Sequence, residues 1–256
     1  MRFVLVFLVA CGSDPTPKTC EQQLFGRPGP NTGLTAEQCA PSCACAGKAF
    51  DVPEPTPAQI AALRTWELVD PPPLLASDPY AAPAPSPPGE NAVCAVVRES
   101  GMRYRIADFT SAEVATAAGA IPTHFGRCGM CSSLADLAVY MEQPDLTEPV
   151  RACGLMGGTM EEQLSCLRAL GFTEPCAQIW YFNTQHTRQK CLEPCLLALG
   201  KPYHLPDGSL NECLLCDEVQ SGEVFKAIAG RTRRNTGVAS SMCRPCSEVQ
   251  LLEHVY

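Results

Sequence analysis

The chain has 256 residues, 46% hydrophobic and 18% charged, with 24 Pro and 17 Cys. Lys and Arg number 19 against 27 Asp and Glu, a net charge of −8, so nucleic acid would have to bind against the overall field and is set aside as a partner. No apolar run approaches the roughly 20 residues of a membrane-spanning helix, and disulfide scaffolds that lack a core are much shorter chains, so the cysteines here supplement a core.

In chain order, Met1-Arg2 is followed by an apolar run from Phe3 to Ala10, the layout of a secretory signal over residues 1–10. The run ends in Leu8-Val9-Ala10-Cys11-Gly12-Ser13-Asp14. This segment resembles the lipobox of bacterial lipoproteins. The resemblance implies lipidation of Cys11, attachment to a membrane through acyl chains, and a cell-envelope location on the periplasmic side or at the cell surface.

Setting Cys11 aside leaves an even number of cysteines. Cys20, Cys39, Cys43 and Cys45 lie in an N-terminal segment, residues 11–50, and the remainder lie beyond Cys94. Each group is even, so each could close on itself. Between them, residues 51–90 hold eleven prolines, including Pro71-Pro72-Pro73. That density reads as a polyproline spacer or as an extended segment lying across the domain. One short helix is expected inside it, because Thr56-Pro57 supplies a cap and a first-turn proline before an apolar pattern that runs to Trp66.

Residues 91–256 form the expected cysteine-rich domain. Val93–Val97 and Arg103–Phe109 read as a hairpin across Glu99-Ser100-Gly101. Helical periodicity follows over Ser111–Ala118 and over Ser132–Glu142, which places Leu134, Leu137, Ala138 and Met141 on one face. Thr159 and Glu162 form a capping box for a helix ended by Gly171. Further helical stretches run from Pro175 through Trp180, over Cys191–Leu199, and over Leu210–Ala229. The fold class is mainly α with a small β-hairpin (α+β), a disulfide-stapled helical domain after a Pro-rich spacer.

Three chemistries are open. Cys128-Gly129-Met130-Cys131 precedes the helix that starts at Ser132 or Ser133, where the helix dipole, Arg127 and His124 would stabilise a thiolate. The motif resembles the Cys-Gly-x-Cys of thioredoxin-like oxidoreductases, which would make Cys128 the attacking sulfur and Cys131 the resolving one. It also resembles the nucleophile segment of papain-like cysteine proteases, which would make Cys131 the nucleophile, with His186 as the first base to test. The bland alternative is a disulfide that pins a loop to a helix. A zinc-binding domain is the second alternative: Cys213, Cys216, Cys243 and Cys246 could supply four thiolates, although the gap between the two pairs exceeds that of zinc ribbons and exported cysteines normally oxidise. No cofactor is otherwise implied.

The reading ranked first rests on Arg231, Arg233 and Arg234, set between Gly230 and Gly237, the most basic stretch of an acidic chain. Such a loop suits an anionic small molecule or a polyanion, carboxylates included. Its competitor is surface pairing with Asp217, Glu218 and Glu223. The order of the later motifs also resembles that of uncharacterised cysteine-rich secreted proteins, a resemblance that implies no activity.

Overall fold

In the computed structural model, which describes residues 19–45 and 48–256, the hairpin is the spine of a four-stranded sheet. The expectations for residues 1–10 and for Cys11 lie outside the described residues. Short strands precede the hairpin in the chain: β1 (Leu24–Phe25), β2 (Cys39–Ala40), β3 (Ser42–Cys45), β4 (Lys48–Asp51) and β5 (Glu67–Leu68). The hairpin strands are β6 (Val93–Arg98) and β7 (Arg103–Phe109), and β8 is Ile121–Phe125.

The sheet order is β5-β7-β6-β8, with β5 parallel to β7 and the other pairs antiparallel. β6 is central, which explains its nearly unbroken apolar run. Alternate residues face opposite sides. Val93 and Ala95 pack against the helix α2 (Ala112–Ala117), capped by Ser111, while Val96 and Tyr104 enter the main core.

That core is built on α3 (Leu134–Glu142), whose Leu134, Leu137, Ala138 and Val139 are fully buried. The Ser133 side chain caps α3, and the Leu134 N–H donates to Tyr104 Oη at 2.8 Å, tying the helix start to the sheet. Around it pack α4 (Thr147–Leu155), α5 (Met160–Ala169), α6 (Glu174–Leu197), α7 (Glu212–Gln220) and α8 (Gly222–Ala229). α5 opens with the expected Thr159/Glu162 capping box. α6 joins two segments expected separately, and it kinks where expected to break: Cys191 is non-helical, and Pro194 has no N–H to give to the turn before it. The stretch expected as one helix over Leu210–Ala229 is two, divided at Ser221.

The proline-rich segment is a strap across the domain. Its helix α1 (Pro57–Leu63) buries Ile60 and Leu63 in the main core, and β5 extends the sheet. Further on, the Leu75 backbone exchanges two hydrogen bonds with the Gln178 side chain, and Tyr80 Oη donates to Asn183.

The two cysteine groups do not close separately, which corrects the parity reading. Cys39 bonds Cys243 and Cys43 bonds Cys246, so the N-terminal segment is cross-linked to the C-terminal strand β9 (Arg244–Pro245), against which β1 also pairs. These bridges span 204 and 203 residues. Bridges between chain ends remove the most unfolded-chain entropy in the loop-closure account, roughly 5 kcal/mol for a single bridge of that span. Cys191–Cys216 and Cys195–Cys213 staple α6 to α7, Cys191 and Cys195 lying on either side of the α6 kink and Cys213 and Cys216 on neighbouring turns of α7. Cys153–Cys166 joins α4 to α5, and Cys20 is disulfide-bonded as well. This density of bridges belongs to an oxidising, extracytoplasmic compartment. Among the described residues no helix is long and apolar enough to cross a membrane.

Candidate functional site

Cys128 and Cys131 are bridged, but not to each other. Cys128 bonds Cys94 on β6, and Cys131, fully buried, bonds Cys176 on α6. The motif thus ties sheet, loop and helix together, and its sulfurs are not thiols. The loop itself is pressed against the end of α8: the Met130 and Cys131 N–H groups donate to the Ile228 and Ala229 carbonyls. A Cβ on Gly129 would lie 2.4 Å from the Ile228 oxygen, so only glycine fits there. His124 is buried, its Nε2 2.7 Å from Ser132 Oγ, and burial followed by the nearby Arg231 charge holds its pKa well below the usual histidine range. His186 serves elsewhere: its ring stacks on Tyr80 and its Nδ1 lies 3.1 Å from Ser221 Oγ. The structure therefore does not bring His186 to Cys131.

The four cysteines of the zinc alternative are divided among four bridges, with partners Cys195, Cys191, Cys39 and Cys43. The thiolates a tetrahedral site needs are not assembled.

The three arginines have three different environments. Arg231 is fully buried and points away from solvent, a correction to its expected place in an anion-binding loop. Its Nε donates to the Cys131 carbonyl at 3.0 Å, Nη1 to the Thr123 carbonyl at 2.9 Å, and Nη2 to Thr123 Oγ1 and the Ser132 carbonyl at 2.7 and 3.1 Å. The Thr123 carbonyl is available because the β6–β8 ladder jumps from Cys94↔His124 to Ala95↔Pro122, leaving Thr123 at a bulge. Arg234 is paired with Glu218 and Glu248. Here the competing expectation of carboxylate pairing holds.

Arg233 differs from both. Its guanidinium donates to the Tyr140, Gln143 and Ala239 carbonyls and lies 5.3 Å from the centre of the Tyr140 ring. Tyr140 and Gln143 stand at the end of α3, so Arg233 caps that helix's C-terminus. Among the described residues it has no carboxylate within ion-pair distance, and burial pulls its pKa down to about 10. Buried cations are ordinarily paired.

Arg233 lines a cavity of ≈ 280 Å³ formed by α4, α6, α7 and α8. This is near the lower end of the roughly 300–1,000 Å³ of small-molecule clefts. Its floor is apolar: Tyr140, Leu214 and Phe225 are buried, and Trp180 packs on Phe225 at 4.6 Å between ring centres. Two polar atoms of that floor, Tyr140 Oη and Trp180 Nε1, are buried without a hydrogen-bond partner. Desolvation raises the Tyr140 pKa to about 12 against the lowering effects of the Arg233 charge and of the indole N–H of Trp180, which is directed at the phenol. Its charged lining side chains are Arg151, Arg188, Lys226, Arg233, Arg234 and Arg244 against Asp217 and Glu218. Six cations to two carboxylates reverses the balance of the whole chain. Against the desolvation of its carboxyl, Arg244, Arg234 and Lys226 hold Glu218 at about 2. Asp217, by contrast, is pushed up by burial and accepts from Thr187 and Asn183.

Arg233 and Arg234, expected from the sequence as ligand-binding residues, line this cavity, Trp180 packs against the core as its aromatic run suggests, and Tyr140 and Arg244 were not singled out. A family of unknown function (DUF8771) matches residues 160–252, a span that runs from α5 to just beyond β9. No curated protein and no solved structure matches the chain.

Proposed function

We propose that this protein is an exported domain, held to a membrane through lipid on Cys11, that binds an anionic ligand in the cavity between α4, α6, α7 and α8. The observation that supports it is Arg233: a buried guanidinium with no carboxylate partner among the described residues, lining a cavity with Tyr140 Oη and Trp180 Nε1 also unpartnered. An anionic group in the cavity would complement the cation. Arg234 and Arg244 add to the field of that wall although Glu218 neutralises part of it. Arg231 serves the fold and not the ligand. Export and anchoring rest on the lipobox resemblance at Leu8–Cys11 and, for the compartment, on the bridges.

Fluorescence titration of the oxidised chain with anilinonaphthalene sulfonate tests the site. A charge-assisted hydrogen bond contributes roughly 1.5–3 kcal/mol, so Arg233→Gln is expected to weaken binding by about ten- to a hundredfold with the melting temperature monitored in parallel. An unchanged affinity in that variant, or equal binding of the neutral sulfonamide, would sink the reading. In cells, Cys11→Ser should move the protein from the membrane fraction to the soluble extracytoplasmic one.

A further inference from the structure

The cavity walls say what must be attached to the anionic group. Above the buried floor, four leucines line the cavity while remaining half exposed: Leu155 at 53%, Leu192 at 49%, Leu196 at 52% and Leu199 at 47%. Leu155 ends α4; Leu192 and Leu196 lie on the kinked end of α6, and Leu199 follows it. The kink at Cys191 and the bridges Cys191–Cys216 and Cys195–Cys213 fix this end of α6 against α7, so the leucines are held in place by cross-links. Contiguous exposed apolar side chains of this size, rimmed by charged groups, mark a contact surface.

Arg233, Tyr140 and Trp180 belong to the less exposed part of the lining, and the four leucines, with Arg188 and Lys226, to the more exposed part. A ligand that satisfies both ends has a charged head and one flexible apolar tail. A compact anion such as phosphate would leave the leucines in water, and a neutral hydrocarbon would leave Arg233 without an ion-pair partner.

We infer that the ligand is a single-chain fatty carboxylate, its head group at Arg233, Tyr140 and Trp180 and its acyl chain leaving past Leu192 and Leu196. This rests on the anion site proposed above and adds the tail.

The test uses the oxidised full chain carrying Cys11→Ser and Trp66→Phe, which leaves Trp180 as the tryptophan that reports on the cavity. Butyrate, octanoate and dodecanoate are titrated beside dodecanol. Binding should tighten along the carboxylate series by up to roughly fourfold per methylene buried. Dodecanol should bind at least about tenfold more weakly than dodecanoate. Arg233→Gln should abolish the difference between acid and alcohol while leaving the dependence on chain length. Leu192→Ser with Leu196→Ser should flatten the chain-length dependence and keep the preference for the acid. Butyrate binding as tightly as dodecanoate would overturn the acyl inference and leave the anion site standing. Dodecanol binding as tightly as dodecanoate would overturn the anion site and leave the apolar mouth standing. If the acylated protein ignores dodecanoate while the Cys11→Ser protein binds it, the anchor's own acyl chain is the occupant and the inference of a free carboxylate falls.

Discussion

Replacing Arg231 with Met removes a guanidinium that is fully buried and makes four hydrogen bonds, three to main-chain carbonyls and one to Thr123 Oγ1. Methionine fills much of the same volume, so the change isolates the polar loss from any cavity. The Thr123 oxygen lies at a bulge, and the Cys131 and Ser132 oxygens belong to the loop that carries two disulfides. Left without a donor, each buried acceptor costs about 1–3 kcal/mol, with some relief from water or relaxation. Arg231 carries a charge whose pKa burial already lowers, and losing it recovers part of its desolvation. The net expectation is a destabilisation of about 3–5 kcal/mol, a large fraction of the stability of a typical domain. Arg231→Lys should fall between, because an ammonium group cannot present the planar fork that reaches β8 and the loop at once.

Guanidinium denaturation of the oxidised protein, followed by Trp fluorescence, measures these differences. A change below about 1 kcal/mol for Arg231→Met would refute the structural role. So would a variant of native stability that has lost anion binding, since that outcome would return Arg231 to the ligand site expected from sequence.

Two further expectations follow from the same packing. Titrating the denatured but unreduced protein with a thiol reagent should leave Cys128, Cys131, Cys213, Cys216, Cys243 and Cys246 unlabelled, whereas labelling of Cys131 would restore the nucleophile reading. The protein should lose stability as the pH falls below 6.5. His124, His204 and His254 have pKa values lowered by burial, His254 to about 4, so each contributes stability fully present above the ordinary value of 6.5 and lost as the pH drops through the folded value. Asp136, raised to about 6 by burial, and Asp217, raised likewise, work in the opposite sense as the pH falls, whereas Glu218, held at about 2, adds to the loss. A melting temperature that is flat or rising between pH 7 and pH 5 would contradict the assignment.

The elements legible in the sequence were those with local determinants. The Thr159/Glu162 capping box, the Ser111 and Ser133 caps and the Gly101 turn act within a few residues, and each marks its element in the structure. α4 was missed because it lacks a side-chain cap and contains Pro149 and Gly154. β8 was missed because it is short and carries Pro122. Division of the last long helix at Ser221 is marked in the sequence only by Gly222, an isolated glycine inside a helical pattern, and Ser221 joins Thr187 and His186 in a polar cluster under α6.

Disulfide pairing and the ligand cavity escaped for the same reason: both are set by tertiary contacts between residues far apart in the chain. Cys128 and Cys131 are neighbours in sequence, yet one faces β6 and the other α6, and the loop between them turns so sharply that Gly129 meets the α8 carbonyls. The arginines repeat this lesson within four positions. Arg231 meets a strand bulge, Arg233 a helix C-terminus beside a cavity, and Arg234 two carboxylates. Composition identified the cluster as the place where an acidic chain concentrates cation. It did not distinguish them, because what separates the two is the partner each meets: three carbonyls and a hydroxyl satisfy Arg231, whereas Arg233 gives three hydrogen bonds to carbonyls and has Asp145 as a more distant counter-charge outside ion-pair distance. A guanidinium beside a cavity with no carboxylate within ion-pair distance is the feature of the fold that the proposed anion would complete.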